Sequence, residues 1–218
     1  MLICGTDEAG RGPVIGPLVM AGVLIEDKDE VKLKNIGARD SKLLAPKHRE
    51  DLFDKIVEIV KKYKIITVSP KEIDEALESD DLNLNWLEAQ KTAEIINHLK
   101  PEKAFIDSPS ANCKAYKEYL RNILYKDIHL VVEHKADVNY PVASAASILA
   151  KVTRDKEIEK IKEKYGNCGP GYPANEITQR FLKENWQKYP EIFRKSWSSY
   201  KKLENGKNQK GLGEFKIN

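Results

Sequence analysis

An apolar run that breaks off in two adjacent carboxylates constrains this 218-residue chain more than any other feature. Leu2, Ile3 and Cys4 read as a strand starting almost at the first residue. Asp7-Glu8 follows, and then a glycine-framed arginine, Gly10-Arg11-Gly12. Two acids at the end of a buried strand are costly to desolvate unless a cation or hydrogen-bond donors compensate them. Oxygen-only ligands are what Mg²⁺ or Mn²⁺ prefers, and the glycines let backbone come close to something bulky and polar. Any fold for this chain has to leave that strand end accessible to hard cations.

Other segments repeat the theme. Ala104-Phe105-Ile106-Asp107 is a short buried strand that also ends in a carboxylate, and Lys64 to Val68 and Ile128 to Glu133 are further strands. Val14 to Ile25 reads as one or two strands interrupted by Gly16-Pro17 and Gly22. Helical periodicity covers Pro46 to about Lys62, Lys71 to Leu77, Leu84 to Leu99 and Cys113 to Leu124. Pro141 suits the first turn of a long alanine-rich helix ending near Gly166. Strands interleaved with helices predict an α/β fold. The early strands lie close together in sequence, so part of the sheet is expected to be antiparallel. After Gly166 come a Gly/Pro loop, a helix over about Glu176 to Lys188, a Trp-bearing segment and a polar tail from Asn205. The expected division is a core over 1–165, a helical extension over 166–204 and a flexible tail over 205–218.

Composition excludes more than it assigns. With 37 Lys and Arg against 34 Asp and Glu, the net charge of +3 neither demonstrates nor opposes nucleic-acid binding. The three cysteines are odd in number and lack metal-ligand spacing, which argues against a disulfide framework and for a reducing cytosol. No apolar segment is long enough to span a bilayer, and the first residues lack the plan of a signal peptide. A soluble cytoplasmic protein without membrane association is expected.

Asp7-Glu8, Asp107 and Asp137 sit at strand ends or just before a helix. Functional groups gather at the carboxyl ends of parallel strands. If the strands bearing Asp7 and Asp107 are parallel neighbours, their carboxylates meet at one edge and Asp137 closes the cluster. Such a set cannot stay ionised without bound divalent cations. Two ions would activate a water and stabilise the leaving oxygen of a phosphodiester. Taken singly, Asp107 reads equally well as a turn residue and Asp137 as a helix-start acid. The histidines show no zinc spacing; His134 lies near Asp137.

These pieces together resemble type 2 ribonuclease H in its archaeal form. The matching stretches are Asp7 to Pro13, Asp40-Ser41-Lys42-Leu43-Leu44, Phe105-Ile106-Asp107-Ser108, Lys135-Ala136-Asp137 and Ala145 to Asp155, continuing to about Tyr172. The resemblance implies a ribonuclease H-like mixed five-stranded sheet flanked by helices, with a small C-terminal helical extension. It implies an endonuclease that hydrolyses the RNA strand of RNA/DNA hybrids and nicks at single ribonucleotides in duplex DNA, leaving 3′-hydroxyl and 5′-phosphate ends. It implies that Asp7, Glu8, Asp107 and Asp137 hold two Mg²⁺ or Mn²⁺ ions during catalysis.

The same resemblance makes Gly10-Arg11-Gly12 the loop that senses the 2′-hydroxyl and Tyr172 the ring that stacks on the following sugar. Ala174-Asn175-Glu176 departs from the commoner continuation after that tyrosine. Lys42 and Ser41 are candidates for phosphate contact, with Lys42 as a surface lysine the competing reading. Ser147, sharing a helix face with Ser144 and Lys151, is a candidate substrate contact, as is Asn85. Ala143, Ala146 and Ala150 read as packing residues. Gln209, Leu212 and Phe215 keep the spacing of a sliding-clamp-binding box, although Lys216 stands where a second aromatic is usual; a disordered lysine-rich terminus is the alternative. A monomer is expected. The rivals are a junction resolvase or type 3 ribonuclease H, which share the architecture, and a non-catalytic hybrid-binding adaptor, which has no use for clustered acids beside phosphates.

Overall fold

A computed structural model describes residues 1–38, 46–79 and 82–212. Its centre is β1 (Leu2–Ala9), which pairs antiparallel with β2 (Leu18–Glu26) on one side and parallel with β4 (Lys103–Asp107) on the other. The edges are β3 (Lys62–Val68), antiparallel to β2, and β5 (His129–Glu133), parallel to β4, giving the order β3-β2-β1-β4-β5. The mixed five-stranded sheet expected from the sequence is the sheet observed. β1 extends through Ala9, so Asp7 and Glu8 lie inside the strand rather than beyond it. The antiparallel partner explains this: Asp7 pairs with Ala21 and Glu8 with Met20, so β2 holds the acids in strand geometry.

Helices cover both faces. α1 (Glu30–Asn35), α2 (Pro46–Ile59) and α7 (Pro141–Tyr165) pack on the face carrying Ile3, Val19, Val23 and Phe105. α3 (Pro70–Glu78), α4 (Leu84–Leu99) and α5 (Cys113–Ile123) pack on the face carrying Cys4, Met20, Ala104 and Ile106. Local chemistry sets the helix starts. Ser69 and Glu72 close a capping box on α3, and the Asn83 and Asn112 side chains accept from backbone N–H groups at the starts of α4 and α5. α7 lies unusually close to β1, because a Cβ on Gly5 would fall 2.3 Å from the Val142 carbonyl carbon. The small buried residues Ala143, Ala146 and Ala150 belong to this packing, as their size suggests.

The C-terminal extension contains α8 (Glu176–Asn185) and α9 (Ser198–Leu212). It has its own apolar cluster, including Phe181, Leu182, Phe193 and Tyr200, but that cluster also takes in Val14, Ile15 and Ile158 from the core. A short β-bridge between Ile15 and Phe193, with backbone bonds from Gly16 to Ile192 and from Arg194 to Val14, ties the two together. The backbone of α9 stays helical to Leu212, through the first part of the stretch read from composition as a polar tail. Among the described residues no helix is long and apolar enough to cross a membrane.

Candidate active site

Parallel pairing sets Thr6 beside Ile106, so the next residues, Asp7 within β1 and Asp107 at the end of β4, fall side by side. The third acid comes from α6 (Ala136–Asn139), a single turn that starts after Lys135, held at a left-handed φ of 61°. Ligand oxygens of Asp7, Asp107 and Asp137 all lie within 4.8 Å of one another. Backbone donors aim them: the Ala136 N–H donates to Asp107 Oδ1 at 2.9 Å and the Glu8 N–H to Asp7 Oδ1 at 2.8 Å.

The site is electrostatically expensive. Burial pushes the Asp7 carboxyl up to about 7, with Asp107 and Asp137 adding to the shift, while a Ser147 hydrogen bond and the Glu8 N–H oppose it. Three clustered anionic oxygen donors, two of them on buried residues, fit a hard divalent cation and offer a soft metal nothing.

Glu8 is not among those three. Successive strand residues point to opposite faces, so Asp7 turns toward α7 and Glu8 toward α4. Burial, then Asp7, Glu88 and Asp107, push Glu8 well above the usual carboxylate range, and Arg11 opposes them. Glu8 therefore remains close to the cluster electrostatically while belonging to the other side of the sheet.

Two residues read as candidate substrate contacts have protein partners in the structure. Ser147 is fully buried; it is hydrogen-bonded to Asp7, and its hydroxyl accepts from Lys151 Nζ at 2.8 Å. From the helix face it shares with Ser144 and Lys151 it orients the Asp7 carboxylate. Asn85 accepts from Arg11 Nη2 at 2.7 Å. Lys42, Ser41 and Phe215, together with the side chains of Gln209 and Leu212, lie outside the described residues. His134 bridges Ser108 O and Cys113 Sγ at 3.2 and 3.4 Å, fastening the loop after β4.

Beyond β1 the Gly10-Arg11-Gly12 loop turns sharply, with Gly10 at φ 81°, a conformation that favours glycine. Its arginine is anchored: Arg11 Nε donates to both oxygens of buried Glu88 at 3.0 and 3.1 Å. Burial pushes Glu88 up to about 7 even so, against the opposing charges of Arg11 and Arg194. Tyr172 is 43% exposed, and a Cβ on Gly12 would sit 3.7 Å from its ring. Arg154, buried under the same ring with its guanidinium 5.4 Å from the centroid, donates to Pro170 O at 2.6 Å. Loop and tyrosine thus form one surface next to the acids.

Sequence reasoning missed the residue behind that surface. Arg194, 0% exposed, donates to three carbonyls: Gly10 at 2.6 Å, Arg11 at 2.9 Å and Gly16 at 3.0 Å. Trp197 Nε1 adds a bond to Gly12 O at 3.0 Å. Burial, with Arg154 nearby, lowers the Arg194 guanidinium to about 9.

The family model described as Ribonuclease HII matches residues 4–200. The chain belongs to the ribonuclease HII family. A ribonuclease HII of Pyrococcus horikoshii is 44% identical over 99% of both chains, and one from Methanococcus maripaludis 43% identical over 93% of this chain and 87% of the relative. Among solved structures, the P. horikoshii ribonuclease H2 superimposes with a TM-score of 0.89 at 42% identity, covering 96% of this chain and all of that one. The PCNA:RNase HII complex from Archaeoglobus fulgidus gives 0.83 at 41% identity, covering 91% of this chain and 96% of that one. Bst-RNase HIII in complex with Mn²⁺ gives 0.78 at 20% identity, over 96% of this chain and 71% of that one, and shares the fold. As a ribonuclease HII, this protein is a metal-dependent endoribonuclease that cleaves the RNA of RNA/DNA hybrids.

Proposed function

We propose that this ribonuclease HII also nicks duplex DNA at single embedded ribonucleotides, leaving 3′-hydroxyl and 5′-phosphate ends, with two Mg²⁺ or Mn²⁺ ions engaged during the reaction. The observation that carries this is the convergence of Asp7, Asp107 and Asp137 at the strand end that runs into the Gly10-Arg11-Gly12 loop. When bound, divalent cations supply Lewis-acid stabilisation of the phosphodiester and a lowered pKa for the attacking water. Asp7, oriented by Ser147 and the Glu8 N–H, and Asp107, oriented by the Ala136 N–H, hold the ions with Asp137. Glu8, next to Asp7 in β1, is the fourth ligand in this reading.

Substrate recognition falls to the adjoining surface. The loop backbone reads the 2′-hydroxyl, the one group that separates a ribonucleotide from its deoxy counterpart. Tyr172 offers an exposed ring beside Gly12 on which the next sugar stacks. Lys42 contacts a phosphate. Excision of misplaced ribonucleotides after replication in the cytoplasm is the cellular role this activity fits, and the enzyme acts as a monomer. A sliding clamp recruits it through Gln209, Leu212 and Phe215, a reading supported by the relative whose structure is a PCNA complex.

A duplex containing one ribonucleotide tests the activity under Mg²⁺, Mn²⁺ and EDTA in turn. Metal-dependent nicking that leaves an extendable 3′ end is expected. Binding without nicking would favour the adaptor and overturn the proposal.

A further inference from the structure

In the Gly10-Arg11-Gly12 loop only Arg11 offers a side chain for anchorage, yet reading a hydroxyl through backbone groups demands placement to within about 0.5 Å. The structure supplies that placement from a distance. All peptide bonds described are trans, so each planar peptide unit points its C=O and its N–H in opposite directions. Arg194 takes the carbonyls of Gly10 and Arg11 from behind. The N–H groups of Arg11 and Gly12, which belong to those same peptide units, consequently face away from Arg194. Trp197 fixes the next carbonyl, that of Gly12.

The turn that carries Arg194 and Trp197 is itself held. Asp74, on α3 across the molecule, accepts from the Lys195 N–H at 2.8 Å, the Ser196 N–H at 2.9 Å and the Ser196 hydroxyl at 2.5 Å. It is buried, and its charge favours the Arg194 cation. The Trp197 ring lies 4.8 Å from the Arg194 guanidinium carbon, which keeps the two donors together.

We propose that Asp74, Arg194 and Trp197 are positioning residues for ribonucleotide recognition: they orient the peptide units of the loop so that the Arg11 and Gly12 N–H groups meet the ribose. Discrimination between ribose and deoxyribose is then set by α3 and by a C-terminal extension whose Arg194 and Trp197 stand more than 180 residues along the chain from the carbonyls they hold. This rests on the reading that the loop senses the 2′-hydroxyl. None of the three side chains has to touch nucleic acid or metal.

Anisotropy titrations in EDTA would compare a duplex bearing one ribonucleotide with its all-deoxy counterpart, for wild type, Trp197→Phe, Asp74→Asn and Arg194→Lys. Trp197→Phe removes one donor and keeps the ring, so it preserves the fold even if the other two variants do not. The ratio of the two affinities should fall about tenfold in each folded variant, the scale of one hydrogen bond. All-deoxy binding and the Mn²⁺-induced rise in melting temperature should stay unchanged. An unchanged ratio, or equal loss on both duplexes, overturns the proposal. Gly12→Ala separates it from the reading beneath it, since the added methyl meets the Tyr172 ring at ordinary contact distance. If Gly12→Ala lowers the ratio while Trp197→Phe does not, only the relay fails. If Gly12→Ala leaves the ratio intact, the loop's role fails with it.

Discussion

The acid cluster and the loop beside it solve opposite problems within a few residues of one another. At the cluster, carboxylates from β1, β4 and α6 are crowded so that burial and mutual repulsion hold Asp7 near pH 7. At the loop, the carbonyls of Gly10, Arg11, Gly12 and Gly16 are all satisfied by Arg194 and Trp197, and Arg11 is satisfied by Glu88 and Asn85. One region crowds like charges that a cation relieves; the other pairs its buried charges with protein partners and holds a shape. Cation binding and sugar reading are therefore expected to fail separately.

The largest break in that comparison is Asp7→Asn. Removing the central carboxylate should lower hybrid cleavage about a thousandfold or more, the several kcal/mol of charge stabilisation from a bound divalent ion being lost. Hybrid binding should persist, and gel-shift and turnover assays on one preparation would check both. The same substitution should stabilise the metal-free protein at neutral pH by about 2 to 4 kcal/mol, since Asp7 no longer has to ionise in a buried site. Differential scanning calorimetry in EDTA reads this directly. Arg194→Met should do the reverse, costing about 3 kcal/mol by leaving buried carbonyls unpaired, with Mn²⁺ binding unchanged in a titration. A variant that lost metal affinity along with stability would show the two regions to be coupled.

Ser147→Ala is subtler. It removes the hydrogen bond that favours ionised Asp7, so calorimetric Mn²⁺ affinity should drop about tenfold, as for other residues that orient metal ligands. The pH dependence of stability reads both regions at once. In the folded state Asp7 and Glu88 bind protons up to about pH 7, well above their usual range. Between pH 4 and 7 the folded chain thus holds more protons than the unfolded one, and stability must fall as pH rises through that window. In EDTA the melting temperature should decline by about ten degrees or more across it, with about 2 to 4 kcal/mol from each group and roughly 2 to 4 °C per kcal/mol. Saturating Mg²⁺ should flatten the Asp7 part of the decline and leave the Glu88 part.

What the sequence made legible follows the same divide. The cluster was readable because strands announce themselves as short apolar runs, and acids at their ends are conspicuous. Parallel neighbours then place Asp7 and Asp107 together without further information. Strand alternation carried a consequence that adjacency in sequence hid, namely that Glu8 faces α4. Helical spacing showed that Ser147 shares a face with Ser144 and Lys151 but not that it reaches Asp7. Arg194 left no signal at all. Its partners are backbone carbonyls, which look alike in every residue, and an arginine in a charged C-terminal stretch resembles any solvated one. Glu88 was hidden likewise in an ordinary helix. The helical continuation of α9 ran against a composition that reads as tail.

The central claim is that oxygens from three separate segments form one hard-cation site. Crystals soaked in Mn²⁺ and measured for anomalous scattering test it most directly. The account predicts a peak in contact with Asp7, Asp107 and Asp137, lost in Asp7→Asn. A cluster left empty at saturating Mn²⁺, or an ion bound elsewhere while cleavage proceeds, would contradict it.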